Sequence, residues 1–211
     1  LGPRINAAGR IGKADLGARL LSCTNLHEAT AMADKLEELN TERRSVEASV
    51  RLAAMEQAEA RGLAYPLAWA AQDGWHPGVV GIVASRLKEK TNRPSVVIGF
   101  DGDIGKGSGR SVSGIDLGAA IQKLALDGYI EKGGGHKMAA GLSLTRAQLK
   151  PAMEKLGQLL VAQGAGELGP ADLRVDGTLM PGGATLQLIE QLDEAGPFGA
   201  SASAPRFAFP D

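Results

Sequence analysis

The 211 residues carry a net charge of −1, with 44 % hydrophobic, 22 % charged and only 4 % aromatic residues. Those proportions suit one large or two small domains with an aliphatic, Ala-rich core, and they exclude a wholly disordered chain. The apolar runs are too short for a membrane span, the first residues lack a signal core, and a single cysteine excludes a disulfide framework, so a cytoplasmic protein is expected.

Residues 1–20, rich in Gly and Arg, read as a loop running into a short helix, the tail of something that began earlier. Within them Arg4 and Arg10 flank Asn6 in a Gly-containing turn, a candidate phosphate or sugar contact. Cys23 follows in an apolar stretch and reads as a buried, inert thiol. From Asn25, an N-cap with Glu28 as its capping-box partner, apolar residues recur at Ala29, Met32, Ala33, Leu36, Leu39, Val46, Val50 and Ala53. This predicts a helix stopped by Gly62 and roughly 50 Å long at ~1.5 Å per residue. Its narrow apolar stripe suits a connector between two bodies.

Strands and helices then alternate. Expected are a strand at 67–72, a helix from Pro77 to near 91, a strand at 95–100 and a turn at 101–103. A Gly-rich strand follows at 104–112, then a helix capped by Asp116 to 126, a Gly run at 133–135, a strand at 138–144 and a helix at 147–161. The order β-α-β-β-α-β-α predicts a compact α/β domain over about 65–163. Residues 164–170 read as a linker, 173–179 as a strand and 185–195 as a helix, and the closing ASASAPRFAFPD carries little structural signal.

Charge is uneven along the chain: −1 over residues 1–76, +5 over 77–165 and −5 over 166–211. A basic middle points to an anionic ligand. Two Gly-rich runs there could receive it. Lys106, Ser108, Gly109, Arg110 and Ser111 lie in KGSGRS, where bare backbone amides, hydroxyls and a guanidinium fork would make an oxyanion pocket. Gly133, Gly134, Gly135 and His136 form the second, a run whose entropic cost is borne where side chains must be absent. His76 stands before Pro77 and Gly78 at a helix start, another anion-favouring position. The histidines at 27, 76 and 136 have no zinc spacing, and neither a metal-holding Asp/His cluster nor a Ser/His/Asp triad is evident.

Taken in order, PRINAAGR, the long helix, WHPGVVGIVASRLKEK, RPSVVI, GKGSGRSVSGIDLGAAI, GGGHKMAAGLSL and EAGPFG strongly resemble the RecJ family, single-stranded-DNA-specific exonucleases among the DHH/DHHA1 phosphoesterases. The resemblance implies an α/β fold: a DHHA1-type domain with a central mixed sheet flanked by helices, preceded by a long connector helix. Residues 1–20 would end the DHH catalytic domain, 21–63 connect, 65–164 form the substrate-binding DHHA1 domain, and 166–211 lead towards an oligonucleotide-binding-fold region. It also implies 5′→3′ digestion of single-stranded DNA in repair and recombination, with Ser108 and Arg110 on the 5′-phosphate and Arg4 or Arg10 beside them. Gly133–Gly135 and His136 would face the metal centre, His136 in a supporting catalytic role. Single-stranded DNA with a 5′ end is the implied partner, with room for a helicase and a single-strand-binding protein. Two departures matter. The Asp-His-His motifs that would hold Mn2+ or Mg2+ in the full-length enzyme are absent, and ASASAPRF replaces the usual pattern after GPFG. The sequence thus looks like a piece of a larger enzyme, inactive alone. Two other readings stay open: an oligoribonucleotide or cyclic-dinucleotide phosphodiesterase of the same family, and a non-enzymatic nucleic-acid-binding or dimerisation module.

Overall fold

A computed structural model describes residues 2–62, 65–166, 175–199 and 202–210, and the chain divides into two units, Leu1–Leu168 and Gly169–Asp211. The first twenty residues are more helical than expected, forming α1 (Gly2–Ile11) and most of α2 (Leu16–Ser22). Pro3 sits in the first turn of α1, where its missing N–H costs nothing, and Ala7 and Ala8 are fully buried against Leu36 and Leu39. That burial overrides the loop tendency of Gly2 and Gly9. Cys23 closes α2 half-buried rather than buried, because its thiol turns outward to the Asn25 carbonyl at 3.3 Å.

Asn25 caps α3 (Leu26–Ala60), its side chain accepting from the amides of His27 at 3.0 Å and Glu28 at 3.3 Å. The 35-residue helix is ~52 Å long at ~1.5 Å per residue. Leu36 and Leu39 pack on α1, whereas Val50, Ala54 and Ala58 pack on the sheet side of the unit.

The sheet is built from β1 (Ala68–Asp73), β2 (Ser95–Asp101), β3 (Ile104–Arg110), β4 (Lys132–His136) and β5 (Ala139–Thr145), in the spatial order β1-β2-β3-β5-β4. β1 and β2 are parallel, joined through α4 (Pro77–Thr91), and the other neighbours are antiparallel. It is therefore a mixed sheet flanked by helices. The order exceeds the expected one by β4: Gly133–Gly135, expected in a loop, are an edge strand held by pairing with β5. α5 (Leu117–Leu126) and α6 (Arg146–Val161) cover one face, with Leu117, Ile121, Leu124, Leu156 and Leu160 fully buried. Each such side chain contributes ~1.5–3 kcal/mol by leaving water. α4 covers the other face with Val79, Val80, Val83 and Leu87.

The outer edge of β1 is closed by α3. Gln57 bonds both backbone groups of Ala71, accepting from N at 3.1 Å and donating to O at 3.2 Å, as a sixth strand would. Arg61 donates to the Trp69 carbonyl at 2.8 Å and lies 3.8 Å above the Trp69 ring.

In the second unit, β6 (Gly177–Thr178) pairs in parallel with β7 (Phe207–Ala208), a pairing the low-signal closing stretch did not announce. Between them α7 (Leu186–Glu194) starts at Thr185, whose hydroxyl accepts from the Leu188 amide at 3.2 Å. The expected strand at 173–179 is confined among described residues to Gly177–Thr178, and most of the expected linker at 164–170 lies outside them.

Candidate nucleic-acid interface

Side chains alternate across a strand, so β3 divides its residues between two environments. Gly105, Gly107 and Gly109 face α5 and α6. A Cβ on Gly107 would lie 2.8 Å from Ile98, and one on Gly109 2.7 Å from Leu117. These glycines let strand and core meet closely. β3 pairs along its whole length with β2 and β5, so its amides belong to the two ladders. The expected pocket of bared amides in KGSGRS is corrected accordingly: what β3 offers is side chains. Lys106, Ser108 and Arg110 project to the opposite face.

On that face three rows cross the sheet. Register aligns Arg110 with Ala139 and His136, Ser108 with Gly141 and Gly134, and Lys106 with Ser143 and Lys132. α4 packs over β1, β2 and β3, whereas β5 and β4 on this side carry no helix. A Cβ on Gly134 would meet nothing within 4 Å, and one on Gly141 would meet only the Gly107 carbonyl at 3.9 Å. The result is a ledge with a floor of small residues, bordered by Arg110, Lys106, Lys132 and His136.

Arg110 sits where α4 meets this ledge. Its guanidinium is half-buried, with Nη1 donating to Ser108 Oγ at 2.9 Å and to the Gly109 carbonyl at 2.8 Å. Gly81 of α4 makes room for it; a Cβ there would lie 3.1 Å from both Arg110 Nη2 and Ser108 Oγ. Burial, and then the charge of Arg10, pull the Arg110 pKa down. Among the described residues no carboxylate pairs with either arginine. Two guanidiniums near each other without a counter-ion are a standing demand for an anion.

Arg10 reaches this place because α1 ends against the start of α4. Its Nη1 donates to the Gly78 carbonyl at 3.1 Å, and a Cβ on Gly78 would collide with the Arg10 carbonyl at 2.1 Å. His76 caps α4, its Nδ1 accepting from the Gly78 amide at 3.1 Å, so His76 and Arg10 flank one residue. Asn6 is exposed one turn before Arg10 on the same side of α1. Arg4 takes a different course and is paired with Glu37 of α3.

Other expected site residues do not reach the ledge. Ser111 is buried, its hydroxyl donating to the Ile115 carbonyl at 2.9 Å. Gly109 and Gly133 serve the core; a Cβ on Gly133 would lie 2.5 Å from Ile121. Gly135, at φ +154°, passes so close to β5 that a Cβ would lie 2.3 Å from the Ala139 carbonyl. His136 is exposed at the end of β4, and Gly118 of α5 lets that helix approach its carbonyl, a Cβ there lying at 2.9 Å. Ala139, Gly141, Ser143 and Lys132 complete the rows without having been expected. The period-2 pattern Gly-Lys-Gly-Ser-Gly-Arg, which puts Lys106, Ser108 and Arg110 on one face of a strand, is the signal that leads to them.

Among the described residues no group of three His, Cys, Asp or Glu could hold a metal ion, so the residues present do not fit a divalent-metal centre. No described helix is long and apolar enough to cross a membrane.

Comparisons with known proteins agree in direction. Residues 62–162 match the DHHA1 domain model. The single-stranded-DNA-specific exonuclease RecJ of Escherichia coli K12 is 37 % identical over 214 residues, which span 98 % of this chain and 37 % of that protein. The RecJ of Dickeya dadantii is 40 % identical over 219 residues with the same shares. Among solved structures, RecJ of Thermus thermophilus in complex with Mn2+ aligns with a TM-score of 0.83 at 28 % identity, over 98 % of this chain and 30 % of that one. Its complex with Mg2+ aligns at 0.81. The chain spans 37 % of the length of those two curated relatives.

Proposed function

From a chain that belongs to the RecJ family, with a DHHA1 domain over residues 62–162, we infer the substrate-holding part of a 5′→3′ single-stranded-DNA exonuclease of DNA repair and recombination. Arg110, with Ser108 and Arg10, receives the 5′-terminal phosphate. Gly134 and Gly141 keep the floor clear for the backbone behind it, and His136 stands at the far side, where the metal centre of a whole enzyme would face it. The observation that carries this reading is the half-buried Arg110 beside Arg10 with no carboxylate partner. A phosphate supplies the missing charge, and a guanidinium fork matches its oxygens. Arg10 rather than Arg4 takes the family's arginine role, because Arg4 is committed to Glu37.

Mn2+ or Mg2+ would be held by residues of the whole enzyme outside this chain, which alone is expected to bind DNA without hydrolysing it. A helicase and a single-strand-binding protein are its proposed partners, in the cytoplasm. With two Trp, two Tyr and four Phe in the whole sequence, the grip is on backbone more than on bases.

Fluorescence anisotropy with short oligothymidylates tests the assignment. A charge-assisted contact to the terminal phosphate should favour the 5′-phosphorylated strand over the 5′-hydroxyl strand by about tenfold. Arg110→Ala should erase that preference. If Arg110→Ala keeps it, the phosphate does not sit there.

A further inference from the structure

We propose that Lys106, Ser143 and Lys132 form a second phosphate-binding row, which takes an internal phosphodiester of the same strand and sets its direction across the ledge. This rests on the terminal-phosphate reading above and extends it. Lys106 on β3, Ser143 on β5 and Lys132 on β4 are in register, so all three side chains stand on the open face. Both lysines are exposed, and among the described residues neither forms an ion pair. At that end of the sheet Asp73 is engaged by Arg146, whose charge also faces Asp103.

Spacing gives the row its meaning. Four residues of β3 separate Lys106 from Arg110, about 13 Å at ~3.3 Å per residue, with the Ser108–Gly141–Gly134 row halfway. The α-carbons of Lys106 and Lys132 stand about 10 Å apart, two strand spacings, with the Ser143 hydroxyl between them. Two ammoniums on flexible stems can therefore converge above Ser143. A strand with its 5′-phosphate on Arg110 lays its backbone over the glycines, where no side chain obstructs it, and delivers a later phosphate to the lysines. It runs from the Arg110 end of β3 towards the Ile104 end. Lysines act here as point charges that read no base, so the contact is independent of sequence.

The test measures the salt dependence of binding by this chain, using 5′-thymidine monophosphate and a 5′-phosphorylated oligothymidylate. Lys106→Ala/Lys132→Ala should lower the slope of log affinity against log salt for the oligonucleotide by about 1.4, at ~0.7 per lost phosphate contact on a single strand. Binding of the mononucleotide, and the preference for a 5′-phosphate, should not change. Lys106→Arg/Lys132→Arg should restore the slope. The control, Lys150→Ala/Lys155→Ala on α6 beneath the opposite face, should leave it intact. An unchanged slope in the first variant, or an equal fall in the control, overturns the second row while leaving Arg110 in place. If the unsubstituted chain shows no preference for a 5′-phosphate, the terminal-phosphate reading fails and the second row fails with it.

Discussion

On one side of the sheet α5 and α6 press glycines and aliphatic residues into a dry core; on the other, α4 stops over β3 and leaves β5 and β4 uncovered. Glycine occurs on both sides, for opposite reasons. Gly107, Gly109 and Gly133 have large neighbours within 2.5 to 2.8 Å of where a Cβ would be, so packing explains them. Gly134 and Gly141 have open space, and nothing in the fold explains them. A glycine in a strand costs ~0.5–1 kcal/mol relative to alanine. Where packing does not return that cost, a ligand is the remaining reason for an absent side chain.

The largest expected effect belongs to the packed side. Ile98 is fully buried against Gly105 and Gly107. Ile98→Ala should lower unfolding free energy by about 2–5 kcal/mol in urea denaturation, without changing DNA affinity under conditions where the variant stays folded. A specific loss of binding in the folded variant would mean that the two faces are not separable. Gly134→Ala makes the opposite trade. It should hold or raise stability by up to ~1 kcal/mol while weakening binding of 5′-phosphorylated DNA about tenfold or more. Unaltered affinity would remove the glycine floor from the account.

The smallest expected effect distinguishes the two arginines of α1. A hydrogen bond from Arg4, and less strongly the charges of Arg4 and Arg44, hold the Glu37 carboxyl below its usual 4.5. The folded protein therefore binds that proton less tightly than the unfolded chain. The pair's contribution is present above about pH 4.5 and fades as pH falls through the lowered folded value. Both side chains are exposed, so salt weakens the effect. Thermal melts of Glu37→Gln and the unsubstituted chain should differ slightly at neutral pH and low salt and converge in acid. A constant difference across pH would show that Arg4 does not stabilise through this carboxylate.

Caps and punctuation made the helices legible in the sequence. Asn25, His76–Pro77 and Asp116 mark starts that the structure keeps, and Gly62, at φ +88°, follows the end of α3. β4 was not legible, since Lys-Gly-Gly-Gly-His has neither strand propensity nor apolar alternation; pairing with β5 creates it. β3 was legible as a strand, yet its glycines suggested a cradle of amides. Alternation of glycine with Lys106, Ser108 and Arg110 carries the actual message: one face is stripped for packing and the other bears the charge. Arg10 and His76 could be named as anion contacts from sequence, but their approach to Arg110 depends on α1 docking at Gly78, a long-range contact no local pattern encodes.

The most direct measurement is an NMR titration of the isotopically labelled chain with a 5′-phosphorylated oligothymidylate. The account predicts that amide resonances of Ser108, Arg110, Gly134, His136 and Gly141 move together and saturate with one affinity, while those of Met153, Leu156 and Leu160 beneath the packed face stay in place. Shifts confined to α6 or to the β1 edge, with the ledge unmoved, would contradict it.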